Sequence, residues 1–334
     1  MIIRFVSFCF SALALLGCSS ERGVADVQGA FTWNELVGTA IPSSPIESFQ
    51  ARDGSTLFYR SYGEQSPIDL VLMHGSGFDS AYLGSLATRI SSTGIARVWT
   101  PDVRGHGLSP QRRGDIDYVD QLEDDLADLS GWIRWRNPHG VLVIGGHSSG
   151  GGLAIRFAGG PYRGTADGYL LLAPFLQYDA PTVRPGVGGW ATPKTSRIVG
   201  LNVLNAIGIR SFNGLTAIEF NLPPTYRTGN ETLFYSYRLM TGFSPRNYVS
   251  DLRTLREPIL VVAGADDEAF YAEEFRDVFG SLTPHADIEL VADTTHLGLV
   301  VATELPPLVI EWLERSISSA TDRKRWSRRA DSNR

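Results

Sequence analysis

Apolar runs and amphipathic stretches alternate along this chain, and the alternation predicts its architecture. Extended segments at 46–51 and 57–62 flank Arg52-Asp53-Gly54, the composition of a tight hairpin. Short apolar runs follow at 70–73, 97–100, 141–144, 169–172, 259–262 and 288–291, bounded by turn-forming residues. Helices are predicted between them over 83–90, 118–136 and 151–158. The second is the clearest, with Val119, Leu122, Leu126, Leu129 and Ile133 at spacings of three and four on an otherwise acidic helix. A closing helix runs from Pro306-Pro307 to about Ser318, since proline suits a first helical turn. Continuous apolar strands alternating with amphipathic helices predict an α/β fold, a mostly parallel sheet with helices on both faces.

The alternation breaks once. From Pro174 to about Asn247 no strand-like run stands out, yet ten aromatics occur there, Trp190 and Tyr235 among them. That length exceeds a structureless loop, so a small, mostly helical lid is predicted over about 175–247. The lid has seven basic residues against three acidic ones. The two ends read differently from the 46–318 domain. Residues 319–334 are basic and polar, and a disordered tail is predicted.

Arg4 followed by the apolar stretch 5–16 is too short for a spanning helix and right for a signal peptide. Its end, Leu15-Leu16-Gly17-Cys18, resembles the lipobox of bacterial lipoproteins. That resemblance implies cleavage after residue 17, lipidation of Cys18 and a membrane tether. With Ser19 next, it also implies the outer membrane of a bacterial envelope, facing the periplasm. Residues 18–45 then read as a flexible tether. The only other cysteine, Cys9, lies in the segment to be removed, so no internal disulfide is expected. A net charge of −6 excludes nothing about small ligands but gives no reason to expect nucleic acid as a partner.

Candidate chemistry concentrates after the strand at 141–144, in Gly146-His147-Ser148-Ser149-Gly150. Gly-x-Ser-x-Gly is a weak pattern alone, but a strand before it and a helix after it make it specific. The turn needs glycine at both flanks, and a serine there projects above the sheet at a helix N-terminus. No Lys follows the run, so it is not a Walker-type phosphate loop. The histidines are too scattered for a metal site, no dinucleotide fingerprint occurs, and no cofactor is expected.

Together with Asp102-Val103-Arg104-Gly105-His106-Gly107-Leu108-Ser109, this run resembles α/β-hydrolases of the monoacylglycerol lipase and lysophospholipase branch, the serine aminopeptidase S33 type. The resemblance spans about 49–317. It implies Ser148 as nucleophile and His296, on the loop after the last strand, as the base. The family's strand followed by Gly-x-x-Asp falls on Asp267, with Asp266 its close rival and Asp293 a weaker one. His74-Gly75-Ser76 matches the oxyanion loop, so Ser76 and Ser149 would supply two main-chain N–H donors. Arg104 and His106 are structural in that family. One departure is visible: the common Gly-His-Ser-Met-Gly has Ser149 in place of Met.

The implied function is hydrolysis of carboxylic esters, of acylglycerol or lysophospholipid type, through an acyl-enzyme. Peptidase, amidase or acyltransferase chemistry on the same triad is the alternative, and a non-catalytic binding protein on this fold is the third reading.

Overall fold

The computed structural model describes residues 31–36, 44–109 and 111–317. The predicted signal peptide, Cys18 and the predicted tail at 319–334 lie outside the described residues.

The domain opens with a hairpin, β1 (Ile46–Gln50) and β2 (Thr56–Tyr62), turned by Gly54 at a φ of 82°. Then come β3 (Ile68–Met73), α1 (Gly84–Ser91), β4 (Arg97–Pro101), α2 (Gln121–Arg136), β5 (Val141–His147), α3 (Ser149–Gly159) and β6 (Gly168–Leu172). The lid contributes β7 (Ala191–Pro193), α4 (Thr195–Ala206), β8 (Thr216–Phe220), β9 (Phe234–Ser236) and α5 (Tyr237–Gly242). The chain returns through α6 (Tyr248–Thr254), β10 (Ile259–Gly264), α7 (Glu274–Leu282), β11 (Asp287–Val291) and α8 (Leu305–Trp312).

The main sheet has the order β1-β2-β4-β3-β5-β6-β10-β11. Every pair from β4 to β11 is parallel, and β2 runs antiparallel to both of its neighbours, β1 and β4. Every residue of β3, β5, β6 and β10 is buried, as continuous apolar runs between two helical layers must be. Helices α1 and α8 pack together, while α2, α3 and α6 form the second group. This is the α/β-hydrolase fold, and the strands lie where the apolar runs placed them. Helix α2 starts at Gln121, not at 118, because the Gln121 side chain takes the Asp117 N–H at 2.6 Å and holds a turn ahead of the helix. Among the described residues no helix is long and apolar enough to cross a membrane.

Two features depart from the sequence pattern. The lid is not mostly helical: β7, β8 and β9 form a three-stranded antiparallel sheet. Strands of three residues are too short to show a period of two, and a bulge between Thr216 and Ile218 breaks the alternation in β8. Residues 31–36, read as tether, instead pack against the domain, with Phe31 and Trp33 buried and a 3₁₀ turn over Trp33–Leu36. Two aromatics within a polar stretch carry no periodic signal, so only their distant partners show why they bury.

Arg104 acts as a structural bolt. Its guanidinium makes two 2.7 Å bonds to the Asp125 carboxylate and approaches Asp53 at 3.0 Å, joining the loop after β4 to α2 and the hairpin. Both Arg104 and Asp125 are buried. Replacing Arg104 by Met strands the carboxylate, and a loss of about 3–5 kcal/mol in urea-unfolding free energy is expected. A loss no larger than the ~1 kcal/mol typical of surface pairs would contradict this role.

Candidate active site

Strand β3 has β4 on one side and β5 on the other, so the chain reverses its direction of travel across the sheet there. The carboxyl ends of such neighbours open a crevice. The loop after β3 and the turn after β5 therefore lie side by side, with Met73 registered against Gly146.

Ser148 sits on that turn with φ 55° and ψ −119°, a conformation L-residues avoid. Its N–H donates to Leu172 O (2.9 Å), and its carbonyl accepts from Gly152 N (3.1 Å) and Phe175 N (2.9 Å). A Cβ at Gly146 would stand 2.6 Å from Met73 O, and one at Gly150 would collide with the same carbonyl. Bare backbone at both flanks lets β3 approach, as the sequence pattern required.

Asp267 and His296, the candidate acid and base, meet as a pair. Asp267, on the loop after β10, accepts from His296 Nδ1 at 2.7 Å through Oδ2. Its Oδ1 accepts from Ala269 N and Phe270 N, both at 2.8 Å, so the carboxylate is buried and fixed. Asp266 and Asp293 are exposed, and neither is bonded to His296 among the described residues. Of the three candidate carboxylates, Asp267 alone is brought onto His296 among the described residues. Ser148 and His296 line one cavity of about 10 Å³, walled by Phe31, Trp33, Gly75, Ser76, Phe78, His147, Trp190 and Leu297. Among the described residues no hydrogen bond joins Ser148 Oγ to His296, a contact often loose without substrate. A larger hollow of about 490 Å³ opens at the other end of β3, beside Asp69 and Arg97, away from these groups.

Ser76 and Ser149 bring their main-chain N–H groups to the turn, and neither N–H has a hydrogen-bond partner among the described residues. Ser149 opens α3, where the first N–H groups are free to meet an anion. Their side chains add something the sequence reading missed: Ser76 Oγ and Ser149 Oγ are bonded at 2.6 Å, tying one donor loop to the other. The replacement of Met by Ser in the family pattern was its signal.

Three further histidines surround the site, each neutral and each with a fixed tautomer. His147 Nε2–H donates to His296 O (3.1 Å), and its Nδ1 accepts from Tyr82 OH (3.1 Å). His74 Nδ1–H donates to Gly75 O (2.8 Å), while its Nε2 accepts from Val103 N (3.2 Å). His106 Nδ1–H donates to Val103 O, and Nε2 accepts from Tyr235 OH at 2.6 Å. Tyr235 OH in turn accepts Gly77 N–H at 2.8 Å, so a lid strand steadies the loop after β3. Burial pushes all three imidazoles below their ordinary range. Glu268, also unforeseen, accepts His296 N–H at 2.8 Å. Its place beside Asp267 was visible, its partner was not. Among the described residues no group of three or more His, Cys, Asp or Glu could hold a metal ion.

The family described as serine aminopeptidase, S33 matches residues 67–299. A relative, the non-heme chloroperoxidase CPO-A1 of Kitasatospora aureofaciens, is 24% identical over 263 residues, covering 73% of this chain and 90% of that protein. The Paleococcus ferrophilus monoacylglycerol lipase structure has a TM-score of 0.60 at 21% identity, over 77% of this chain and 98% of that one. A soluble variant of the Saccharomyces cerevisiae monoglyceride lipase gives 0.59 at 16% identity, over 85% and 97%. At these identities the likeness to solved structures is one of fold.

The buried histidines set an acid limit on stability. In the unfolded chain each takes up a proton below about pH 6.5, while in the folded chain each stays neutral until lower pH. At these three sites the unfolded state then binds more protons, so their contribution is full above that pH and falls on acidification, outweighing the opposite contribution of Asp125, whose carboxyl burial pushes up to about 6. Each contributes a slope of up to about 1.4 kcal/mol per pH unit. Urea unfolding at pH 7.5 and 5.5 tests this; equal or greater stability at pH 5.5 would contradict it.

Proposed function

Since the chain belongs to the serine aminopeptidase S33 family of α/β-hydrolases, we propose that it is a serine hydrolase cleaving carboxylic esters with an apolar acyl group. The reading rests on one observation above the others: His296, held by its buried 2.7 Å bond to Asp267, lines the same cavity as Ser148 on its strained turn. Ser148 Oγ attacks the ester carbonyl while His296 Nε2 takes its proton. Asp267 holds the Nδ1–H tautomer and stabilises the imidazolium that forms. The oxyanion is received by Ser76 N–H and Ser149 N–H, each worth a factor of about 10²–10³ when preorganised. His296 returns the proton to the leaving alcohol, and water attacks the acyl-enzyme by the reverse route.

An apolar substrate suits the surroundings. Trp190 stacks on Phe78 (5.9 Å) and Phe220 (5.1 Å), giving the lid side of the cavity an aromatic wall. Between acylglycerol and lysophospholipid, the charge pairing favours the neutral acylglycerol. Lys194, Arg238 and Arg246 of the lid are already paired with Glu219, Asp115 and Glu123. Glu268 and Glu35, which flank the His296 loop, are engaged by Thr32, His296 N–H and Thr295, which favours ester cleavage over recognition of a peptide amine.

A lipid-tethered enzyme of the bacterial outer membrane, facing the periplasm and anchored through Cys18, completes the proposal. The lid offers support: Val199, Val203 and Ile207 are exposed on successive turns from α4 onward, with Phe212 exposed close behind in sequence. An apolar row of this kind suits a lipid surface.

Ser148→Ala is expected to lower kcat on p-nitrophenyl and glycerol esters by about 10³-fold or more, and to abolish fluorophosphonate labelling. Labelling that survives this substitution would refute the assignment. For the anchor, intact-mass analysis of the mature protein should find acylated Cys18 as its first residue; an unmodified Cys18 would refute it.

A further inference from the structure

Ester-binding pockets usually measure hundreds of Å³. The cavity at Ser148 measures about 10 Å³, room for about one water molecule. Two of its lining residues, Phe31 and Trp33, come from the segment 31–36. Phe31 sets its ring at 89° to His296, with centroids 5.6 Å apart, and stacks on Trp33 at 5.3 Å. Trp33 continues onto lid residues Trp190 (5.3 Å) and Tyr226 (6.1 Å). Polar atoms of the same segment grip the loop that carries His296. Thr32 N–H and Oγ1–H both donate to Glu268 Oε1 at 2.9 Å, and the other oxygen of that carboxylate accepts His296 N–H. Thr295 Oγ1–H donates to the Glu35 carboxylate.

The attachment is of a releasable kind. Among the described residues, the main-chain hydrogen bonds of this segment to other main-chain groups are internal, Trp33 N to Phe31 O and Glu35 N to Thr32 O. Strand β9, by contrast, is laddered to β8. Among the described residues every hydrogen bond between the segment and the rest of the domain involves a side chain, and both carboxylates that anchor it are partly exposed. Segments held this way open without unfolding their domain.

We propose that residues 31–36 form a gate on the substrate site, in which Phe31 and Trp33 fill the space an acyl group takes and must withdraw before a long-chain ester binds. The gate rests on the assignment of Ser148 as nucleophile. A small acyl group needs less of the space, so the gate discriminates by size as well as by occupancy. A closed state that dominates lowers apparent affinity by the fraction open, about ten-fold if one molecule in ten is open.

The test compares kcat/KM for p-nitrophenyl decanoate with that for the acetate. In the variant Phe31→Ala/Trp33→Ala the decanoate-to-acetate ratio should rise about ten-fold. A second variant, Thr32→Val/Glu35→Gln, keeps the aromatics, loosens the anchors and should raise the ratio in the same direction. Should the first variant fail to fold, the second decides. An unchanged or lower ratio in the folded variants overturns the gate, since Phe31 and Trp33 would then be a fixed wall. Phosphonylation by a small fluorophosphonate, followed by mass, separates the two claims. No label on Ser148 in any of the three proteins removes the catalytic reading. Label on Ser148 with an unchanged ester ratio removes only the gate.

Discussion

Ser148 holds a φ of 55°, a conformation that costs a non-glycine residue on the order of 1–3 kcal/mol, and its neighbours are arranged to keep it there. The turn is clamped at both ends of the peptide by Leu172, Gly152 and Phe175, and it is possible only because Gly146 and Gly150 leave room for Met73 O. That close approach brings the loop after β3 against the start of α3. The Ser76 and Ser149 N–H groups, without partners among the described residues, then lie at the turn, and the Ser76–Ser149 hydroxyl bond ties one to the other. The rest of the site is positioned relative to this turn.

Around it, polar groups are buried but matched. His147 ties the His296 loop to the turn through its Nε2–H, and Tyr82 fixes its tautomer from the opposite side. His74, His106 and Tyr235 pass the same rigidity from the sheet to the lid. Neutral imidazoles suit this role, since each offers one donor and one acceptor without a buried charge. Among the described residues His296 alone of these four has a carboxylate partner, the arrangement that would stabilise an imidazolium there.

Much of this was legible in residue order, because it depends on local pattern. The parallel strands are continuous apolar runs, and the turn at Ser148 announces itself by glycines between a strand and a helix. The acid was less legible: Asp266 and Asp267 are adjacent in a loop, and only the fold shows one exposed and the other buried on His296. The lid sheet escaped notice because β7 and β9 have three residues each and β8 is bulged. Residues 31–36 were hidden for a different reason. Their partners, Glu268, Thr295 and Trp190, lie far along the chain, and burial produced by such contacts leaves no periodic trace.

The proposed enzyme thus pairs a rigid reacting centre with a releasable cover, an arrangement that would keep the site dry and still admit an ester. The central claim is that Ser148 reacts with its oxyanion facing Ser76 N–H and Ser149 N–H. A crystal structure of the fluorophosphonate-treated protein tests it most directly. The account predicts phosphorus on Ser148 Oγ, with the phosphoryl oxygen within hydrogen-bond reach of both N–H groups, about 2.7–3.1 Å. Phosphorus on another residue, or an oxygen turned away from those two donors, would contradict it.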